Sequence, residues 1–141
     1  MTNITFKSDV KWTGTGVSAD ATSGSHTLRI DEPEALGGNN SGPNPVELLL
    51  SALGGCLVVL VNAFAPAHGV DVKDVQVKVE GDLDPDGFQG LSEVRPGFSE
   101  IRYKLTINSP SPTDKIAELT EHVLTACPVK DTLTGVPVKA I

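Results

Sequence analysis

Residues 45–65, PVELLLSALGGCLVVLVNAFA, decide the fold of this chain, because almost all of them are apolar or small. Three polar residues interrupt the stretch: Glu47, Ser51 and Asn62. Pro45 suits the first position of a helix, and Pro66 predicts its end. One stripe of apolar residues follows helical spacing: Leu49, Leu53, Cys56, Leu60 and Phe64. A second apolar group lies on the neighbouring face: Leu50, Leu57 and Val61. The sequence therefore predicts a buried helix, apolar over most of its circumference.

A long apolar helix can cross a membrane or fill a core. A membrane span needs roughly 20 apolar residues, and the uninterrupted stretch between Glu47 and Asn62 is shorter. We therefore predict a central core helix and no membrane contact. A chain of 141 residues buries such a helix more easily if a second subunit covers one side of it, so we expect a homodimer.

Alternation of apolar and polar residues predicts β-strands on both sides of this helix. The clearest alternations are VQVKVE at residues 75–80 and IRYKLTI at residues 101–107. Residues 4–12, 26–30 and 136–140 are also predicted strands. Residues 13–25 are rich in Gly, Ser and Thr, which predicts a turn within a β-meander.

Two further helices are predicted near the carboxyl end. Ser111 or Thr113 can cap the first, and the second begins at Cys127-Pro128 and stops at Gly135. The resulting order places strands before the long helix, then two strands, two helices and a last strand. This order is typical of an α+β fold in which helices pack against antiparallel sheet.

Length and charge limit the possible functions. A chain of 141 residues and 14.7 kDa fits one domain, residues 1–141. The net charge of −7 repels phosphate backbones and aromatic residues are only 4%, so nucleic-acid binding is not expected. The amino terminus shows no basic segment followed by an apolar one, so we expect no secretory signal and a cytoplasmic protein.

The two cysteines, Cys56 and Cys127, are too few for a disulfide scaffold, and they are either inert core residues or redox groups. Cys56 lies in the predicted long helix after Gly54-Gly55. Cys127 lies at a predicted helix start, where backbone N–H groups would stabilise its thiolate. Their spacing matches neither a metal site nor a CxxC motif, so the residues alone leave both alternatives open.

Metal-binding patterns are weak. Asp82, Asp84, Asp86 and Glu93 satisfy the spacing of a calcium loop, but a predicted strand precedes them, so an acidic turn between two strands is favoured. The three histidines, His26, His68 and His122, are scattered and are not spaced as zinc ligands with a cysteine or carboxylate.

Several segments form a recognisable set: Leu36-Gly37-Gly38, Gly42-Pro43-Asn44-Pro45, Glu47-Leu48-Leu49, Cys56 and Cys127-Pro128-Val129. Together they resemble one known family, the OsmC/Ohr proteins (osmotically inducible protein C and organic hydroperoxide resistance proteins). The resemblance runs over nearly the whole chain. It implies an α+β homodimer in which long central helices pack between antiparallel sheets.

The resemblance also implies an activity, that of a thiol peroxidase for organic hydroperoxides. Cys56 would attack the peroxide and become a sulfenic acid, and Cys127 would then form a Cys56–Cys127 disulfide. A dithiol of the lipoyl type would reduce this disulfide, with no metal, haem or flavin required. A substrate pocket lined by Leu53, Leu57 and Leu60 would favour apolar peroxides.

The chain departs from the family pattern at two positions. The peroxidase members carry an Arg in the early turn region and a Glu directly after Asn-Pro, and these two hold each other and stabilise the thiolate. Here residues 14–25 contain no Arg, and Glu47 comes one place late, after Val46. Arg29 and Glu47 are the predicted replacements. The alternative hypothesis is a non-catalytic or redox-sensing dimer that binds a small apolar ligand.

Overall fold

The computed structural model describes residues 2–141 and divides into two compact units, one that ends at Leu49 and one of Leu50–Ile141. The architecture is α+β, as predicted. Its elements in chain order are β1 (Asp9–Trp12), β2 (Ala19–Ser23), β3 (His26–Ile30), a 3-10 turn (Glu34–Leu36), α1 (Pro45–His68), β4 (Asp74–Asp82), α2 (Pro85–Phe88), β5 (Glu100–Asn108), α3 (Thr113–Ala126) and α4 (Pro128–Thr132). That residues 1–141 form a single OsmC-like domain stays a prediction.

The first unit contains a three-stranded antiparallel sheet in the order β1-β2-β3. Strand β3 is confirmed at residues 26–30. The turn predicted at residues 13–25 is wrong in part, because it contains β2, whose sequence ADATS is too small and polar to show a strand pattern. The strand predicted at residues 4–12 begins only at Asp9, so Ile4 and Phe6 lie outside it and are exposed.

Helix α1 extends beyond the end predicted at Pro66. Pro66 lies inside its last turn, where it cannot donate a helical hydrogen bond. Gly69 ends the helix because its φ of 65° is readily adopted by glycine. Its N–H donates to Pro66, and the N–H of Val70 donates to the carbonyl of Ala65.

One face of α1 is buried, and it joins Leu53 of the predicted stripe to Leu57 and Val61 of the neighbouring group. The buried residues are Leu53, Gly54, Leu57, Val61 and Ala65, whereas Cys56, Leu60 and Phe64 are only half-buried. At Gly54 an added Cβ would lie 3.3 Å from the side chain of Val79, so the close approach of β4 explains this glycine. Nothing lies within 4 Å of the corresponding position at Gly55, and that glycine has no packing explanation.

By length and composition α1 could cross a membrane, since it has 24 residues and an 18-residue window with a mean hydropathy of 2.3. The argument that its apolar stretch is too short is therefore wrong. The core helix of a soluble protein passes the same test, and Leu57 and Val61 are fully buried within the chain. Only 28% of the window is buried in one chain, so most of the apolar surface of α1 is uncovered.

The second unit has an apolar core between α1, α3 and a two-stranded sheet. Strands β4 and β5 pair antiparallel over their full length, and Val77 faces Leu105. Both strands are confirmed. The fully buried side chains of the core are Leu57, Val61, Leu119, Val123 and Cys127.

The carboxyl-terminal segment differs from its prediction in two respects. Neither Ser111 nor Thr113 caps α3, because Pro112 occupies the cap position and the hydroxyl of Ser111 accepts a hydrogen bond from the N–H of Asp71. The strand predicted at residues 136–140 is absent, and Val138 is almost fully exposed. The two predicted helices themselves are present as α3 and α4.

Candidate redox site

The fold brings the sulfurs of Cys56 and Cys127 to 2.9 Å, although 71 residues separate them along the chain. Cys56 lies in the middle of α1, and Cys127 lies between α3 and α4. Both are free thiols, and the Cys127 Sγ–H donates to the Sγ of Cys56. Cys127 is only 1% exposed, whereas Cys56 is half-buried, so solvent reaches the pair from the side of Cys56.

Cys127 is held at the start of α4. Its backbone is extended, with φ −67° and ψ 112°, and Pro128 follows as the first helical residue, as predicted. Because the first N–H groups of a helix lack helical partners, one of them can bond a side chain at this position. The N–H of Lys130 donates to Cys127 Sγ at 3.3 Å, which fixes the sulfur next to Cys56.

The environment of Cys56 favours its neutral form. Burial raises the pKa of the Cys56 thiol, and the adjoining sulfur of Cys127 raises it further. The backbone N–H of Val129 lowers the same pKa, because it can donate to the thiolate.

The leucines predicted to line a substrate pocket differ in burial. Leu53 and Leu57 are 3% and 0% exposed, and they belong to the core that also contains Cys127. Leu60 is half-buried, one turn after Cys56 on α1. Their role in binding a substrate stays a prediction.

Arg29 and Glu47, the predicted thiolate-stabilising residues, have other partners in the first unit. Arg29 Nε donates to Asp20 Oδ1 at 2.6 Å across β2 and β3, which raises the pKa of Arg29 and lowers that of Asp20. Glu47 accepts a hydrogen bond from the N–H of Asn44, and the side chain of Asn44 accepts one from the N–H of Glu47. This reciprocal pair caps the start of α1. That either residue acts on the thiolate stays a prediction.

The acidic segment at residues 82–87 is a connection, as favoured above. Asp84 caps the short helix α2 by accepting from the N–H of Asp86, and Asp82 pairs with Arg102. Within residues 2–141, no group of three or more His, Cys, Asp or Glu side chains is arranged to hold a metal ion.

Sequence reasoning missed one pairing in the second unit, between His68 and His122. His68 Nε2 lies 2.9 Å from His122 Nδ1, and the ring of His122 stacks on Phe64. The histidines are 54 residues apart, so no local motif indicates the contact. A usable signal is the spacing of four residues that places Cys56, Leu60, Phe64 and His68 along one side of α1.

Comparison with known proteins decides the family. The model of the family described as OsmC-like protein matches residues 38–140, which is most of the chain. The chain belongs to the OsmC-like protein family. The resemblance and the fold class inferred from the sequence are thereby confirmed.

Relatives of this OsmC-like chain include a protein named as a hydroperoxide reductase. A hydroperoxide reductase of Mycoplasma pneumoniae is 30% identical over 95 residues, which are 67% of this chain and 64% of the length of that relative. An OsmC-like protein of the same species, known from a crystal structure, has a TM-score of 0.80 at 25% identity, covering 96% of this chain and 91% of its own.

A crystal structure of an organic hydroperoxide resistance protein, OsmC, from Legionella pneumophila has a TM-score of 0.65 at 20% identity. The alignment covers 96% of this chain and 93% of that protein. At this identity the likeness shows the shared fold alone.

Proposed function

We propose that this OsmC-like chain is a thiol peroxidase that reduces organic hydroperoxides to alcohols. The observation that carries the proposal is the 2.9 Å separation of the Cys56 and Cys127 sulfurs. A disulfide forms only where folding holds two cysteines close together, and this pair needs a small movement to reach bonding distance. The hydroperoxide reductase that is 30% identical supports a peroxide-related role.

Cys56 is the residue that meets the peroxide, because Cys127 is almost fully buried. The Cys56 thiolate attacks one oxygen of the O–O bond, the bond breaks, and the departing alkoxide takes up a proton to leave as an alcohol. Cys56 is thereby oxidised to a sulfenic acid. The N–H of Val129, which lowers the pKa of Cys56, favours the attacking thiolate.

Cys127 is the resolving residue. Its sulfur attacks the sulfenic sulfur of Cys56, the S–S bond forms, and the hydroxyl leaves as water with the proton of the Cys127 thiol. A dithiol, of which a lipoyl group is the expected type, then reduces the disulfide by two exchange steps and is itself oxidised to a disulfide. The cycle requires no metal, haem or flavin.

The working unit in this proposal is a cytoplasmic homodimer. Support comes from apolar side chains that one chain leaves exposed, among them Trp12, Leu28 and Val59 at 62%, 56% and 64%. A second copy that packs on α1 at Val59 would enclose the half-buried side of Cys56 and Leu60. An apolar enclosure of that kind favours organic peroxides over hydrogen peroxide.

The test follows the fate of each sulfur. Purified reduced protein is mixed with tert-butyl hydroperoxide and dihydrolipoamide, and peroxide loss is recorded against a blank without protein. We expect turnover in the wild type and none in Cys56→Ser. In a parallel reaction without dihydrolipoamide, Cys127→Ser should consume about one equivalent of peroxide and accumulate a sulfenic acid that dimedone traps, since oxidation precedes resolution. Full turnover in Cys56→Ser, or none in the wild type, contradicts the proposal.

A second candidate, a non-catalytic or redox-sensing dimer that binds a small apolar ligand, is favoured by the engagement of Arg29 with Asp20 and by the raised pKa of Cys56. Such a protein would not turn over peroxide. Intact-mass measurement after peroxide addition separates the candidates: a sensor forms the Cys56–Cys127 disulfide without multiple turnover, whereas a ligand-binding dimer forms it slowly or not at all.

A further inference from the structure

His68 and His122 form a pair of imidazoles in the second unit. The proposed chemistry of the two cysteines does not use this pair. His68 lies in the last turn of α1 and is half-buried, and His122 lies in α3 and is exposed. His68 Nε2 and His122 Nδ1 are 2.9 Å apart. Two ring nitrogens therefore face each other where a solvated ion can reach them.

The orientation of His122 is fixed by a second contact. Its ring stacks on Phe64 with the centroids 4.1 Å apart and the planes 6° from parallel. Phe64 precedes His68 by one turn of α1, so the same helix supplies both the stacking ring and the second imidazole. A ring that is already oriented loses less conformational freedom when it binds a ligand.

We propose that His68 Nε2 and His122 Nδ1 bind a divalent transition-metal ion, copper(II) or nickel(II), with water completing the coordination. Nitrogen ligands at about 2.0 Å that subtend a right angle lie about 2.8 Å apart, and those that subtend a tetrahedral angle lie about 3.3 Å apart. The observed 2.9 Å lies near these separations, but it is the length of the present hydrogen bond, so both rings must turn to direct their lone pairs at one ion. Copper(II) and nickel(II) are named because imidazole suits them and because affinity for divalent ions rises toward copper.

Metal binding requires a change of tautomer and no net loss of protons. In the present hydrogen bond one of the two facing nitrogens carries the hydrogen, and its lone pair is not free. When the ion binds, that ring moves its proton to its other nitrogen, and both rings remain neutral. Neutral imidazole is the form in which histidine coordinates metals.

The charges around the pair act in opposite directions on a cation. The carboxyl end of α1 directs the negative end of the helix dipole toward His68, and the chain has a net charge of −7. Lys115 opposes this, since its Nζ lies 3.3 Å from the position that a Cβ would take at Gly69.

The experiment uses a full-length, untagged Cys56→Ser/Cys127→Ser host, because thiols bind and reduce copper(II). Copper(II) or nickel(II) is titrated into this host by calorimetry, and the copper complex is examined by electron paramagnetic resonance. We expect one ion per chain and nitrogen hyperfine coupling from two imidazoles.

Three glutamine variants of the same host decide the site. Since even indirect supports of a metal ligand cost about 10-fold in affinity when removed, His68→Gln and His122→Gln should each weaken binding by about 10-fold or more. The matched control is His26→Gln, which removes the remaining histidine, an exposed residue of β3, and should leave the affinity unchanged. Circular dichroism verifies that each variant keeps its helices. Unchanged affinity in both His68→Gln and His122→Gln, or an equal loss in His26→Gln, overturns the proposal.

Discussion

The two units of the chain bury opposite kinds of side chain. Among residues 2–49 only Ser18 and Asp31 are buried, and both are polar. In Leu50–Ile141 the fully buried residues are apolar, with Leu119 and Val123 at 0% exposure. The second unit therefore has the core expected of a stable fold, whereas the first is held by polar contacts and leaves its apolar side chains in solvent.

The two sheets show the same contrast in detail. In β4 and β5 the apolar face packs against the core, as at Val77 and Leu105. In the first sheet Val10 pairs with Ala21 and Ala21 with Leu28, so these side chains share one face, but Val10 and Leu28 are 57% and 56% exposed. A sheet with an uncovered apolar face marks an interaction surface, which is why we expect a second copy to cover it.

The largest effect should come from the core of the second unit. Leu119→Ala removes a side chain that is 0% exposed and leaves a cavity, so the free energy of unfolding should fall by about 2–5 kcal/mol. Urea denaturation monitored by circular dichroism measures the loss. Leu91→Ala, a matched change at a side chain that is 71% exposed, should alter stability little. Equal losses of stability in the two variants would mean that the packing of Leu119 on α3 does not stabilise the fold more than an exposed leucine does.

The next effect concerns the exposed sheet of the first unit. It tests whether a second copy of the chain packs on the apolar face of this sheet. Trp12→Ser should weaken a homodimer by about 2 kcal/mol or more, roughly 30-fold in the dissociation constant, because large aromatic side chains contribute most at interfaces. Analytical ultracentrifugation over a range of concentrations measures the constant. Trp12 is the sole tryptophan, so its emission should shift to shorter wavelength as the dimer forms.

Two companion variants make this test specific. The indole of Trp12 also donates to the carbonyl of Gly16, and Leu28→Ser on the same face has no such bond, so it separates loss of the interface from loss of the turn. Val138→Ser changes an apolar side chain that is 96% exposed and lies outside both sheets. The expected interface on the first sheet would be refuted by a wild type that is monomeric at all concentrations. It would also be refuted if the Val138→Ser variant dissociated as readily as the Trp12→Ser variant.

How far the sequence predicted the molecule depends on how local each signal is. Strands β4 and β5 were predictable because apolar residues alternate with polar ones along them, and that alternation indicates which side chains face the core. Strand β2 was not, since ADATS has weak periodicity and forms a strand only between two partners. The strand expected at residues 136–140 had the pattern but has no neighbour in the chain to pair with.

The site shows the same limit more strongly. The start of α4 at Cys127 was predictable from Cys-Pro, a local signal. The approach of Cys127 to Cys56 is a long-range contact, so it was suggested by the family resemblance and not by the spacing. The approach of His68 to His122 is equally long-range and no resemblance indicated it, so only the packing of α1 on α3 reveals it.

The smallest effect concerns Asp31, a buried polar residue of the first unit. It should appear as a dependence of stability on pH. The hydroxyl of Ser41 donates to its carboxylate at 2.7 Å, and the N–H groups of Glu32, Ser41 and Asn39 also donate to it, which lowers the pKa of Asp31 from 3.8 to about 2. A lowered pKa means that the folded state binds the proton less readily than the unfolded state, so Asp31 stabilises the fold at neutral pH.

This contribution should disappear as the pH falls from about 4 to about 2, where the carboxyl becomes protonated in both states. Asp31→Asn keeps the size of the side chain but replaces one acceptor oxygen by a donor that faces the same N–H groups. The wild type should therefore melt at a higher temperature than Asp31→Asn at pH 7, and the gap should narrow below about pH 4. Asp71→Asn, at an exposed surface ion pair with Lys73, serves as the control and should show little gap at either pH. If the gap for Asp31→Asn stays constant down to pH 2, the buried carboxylate does not stabilise the first unit.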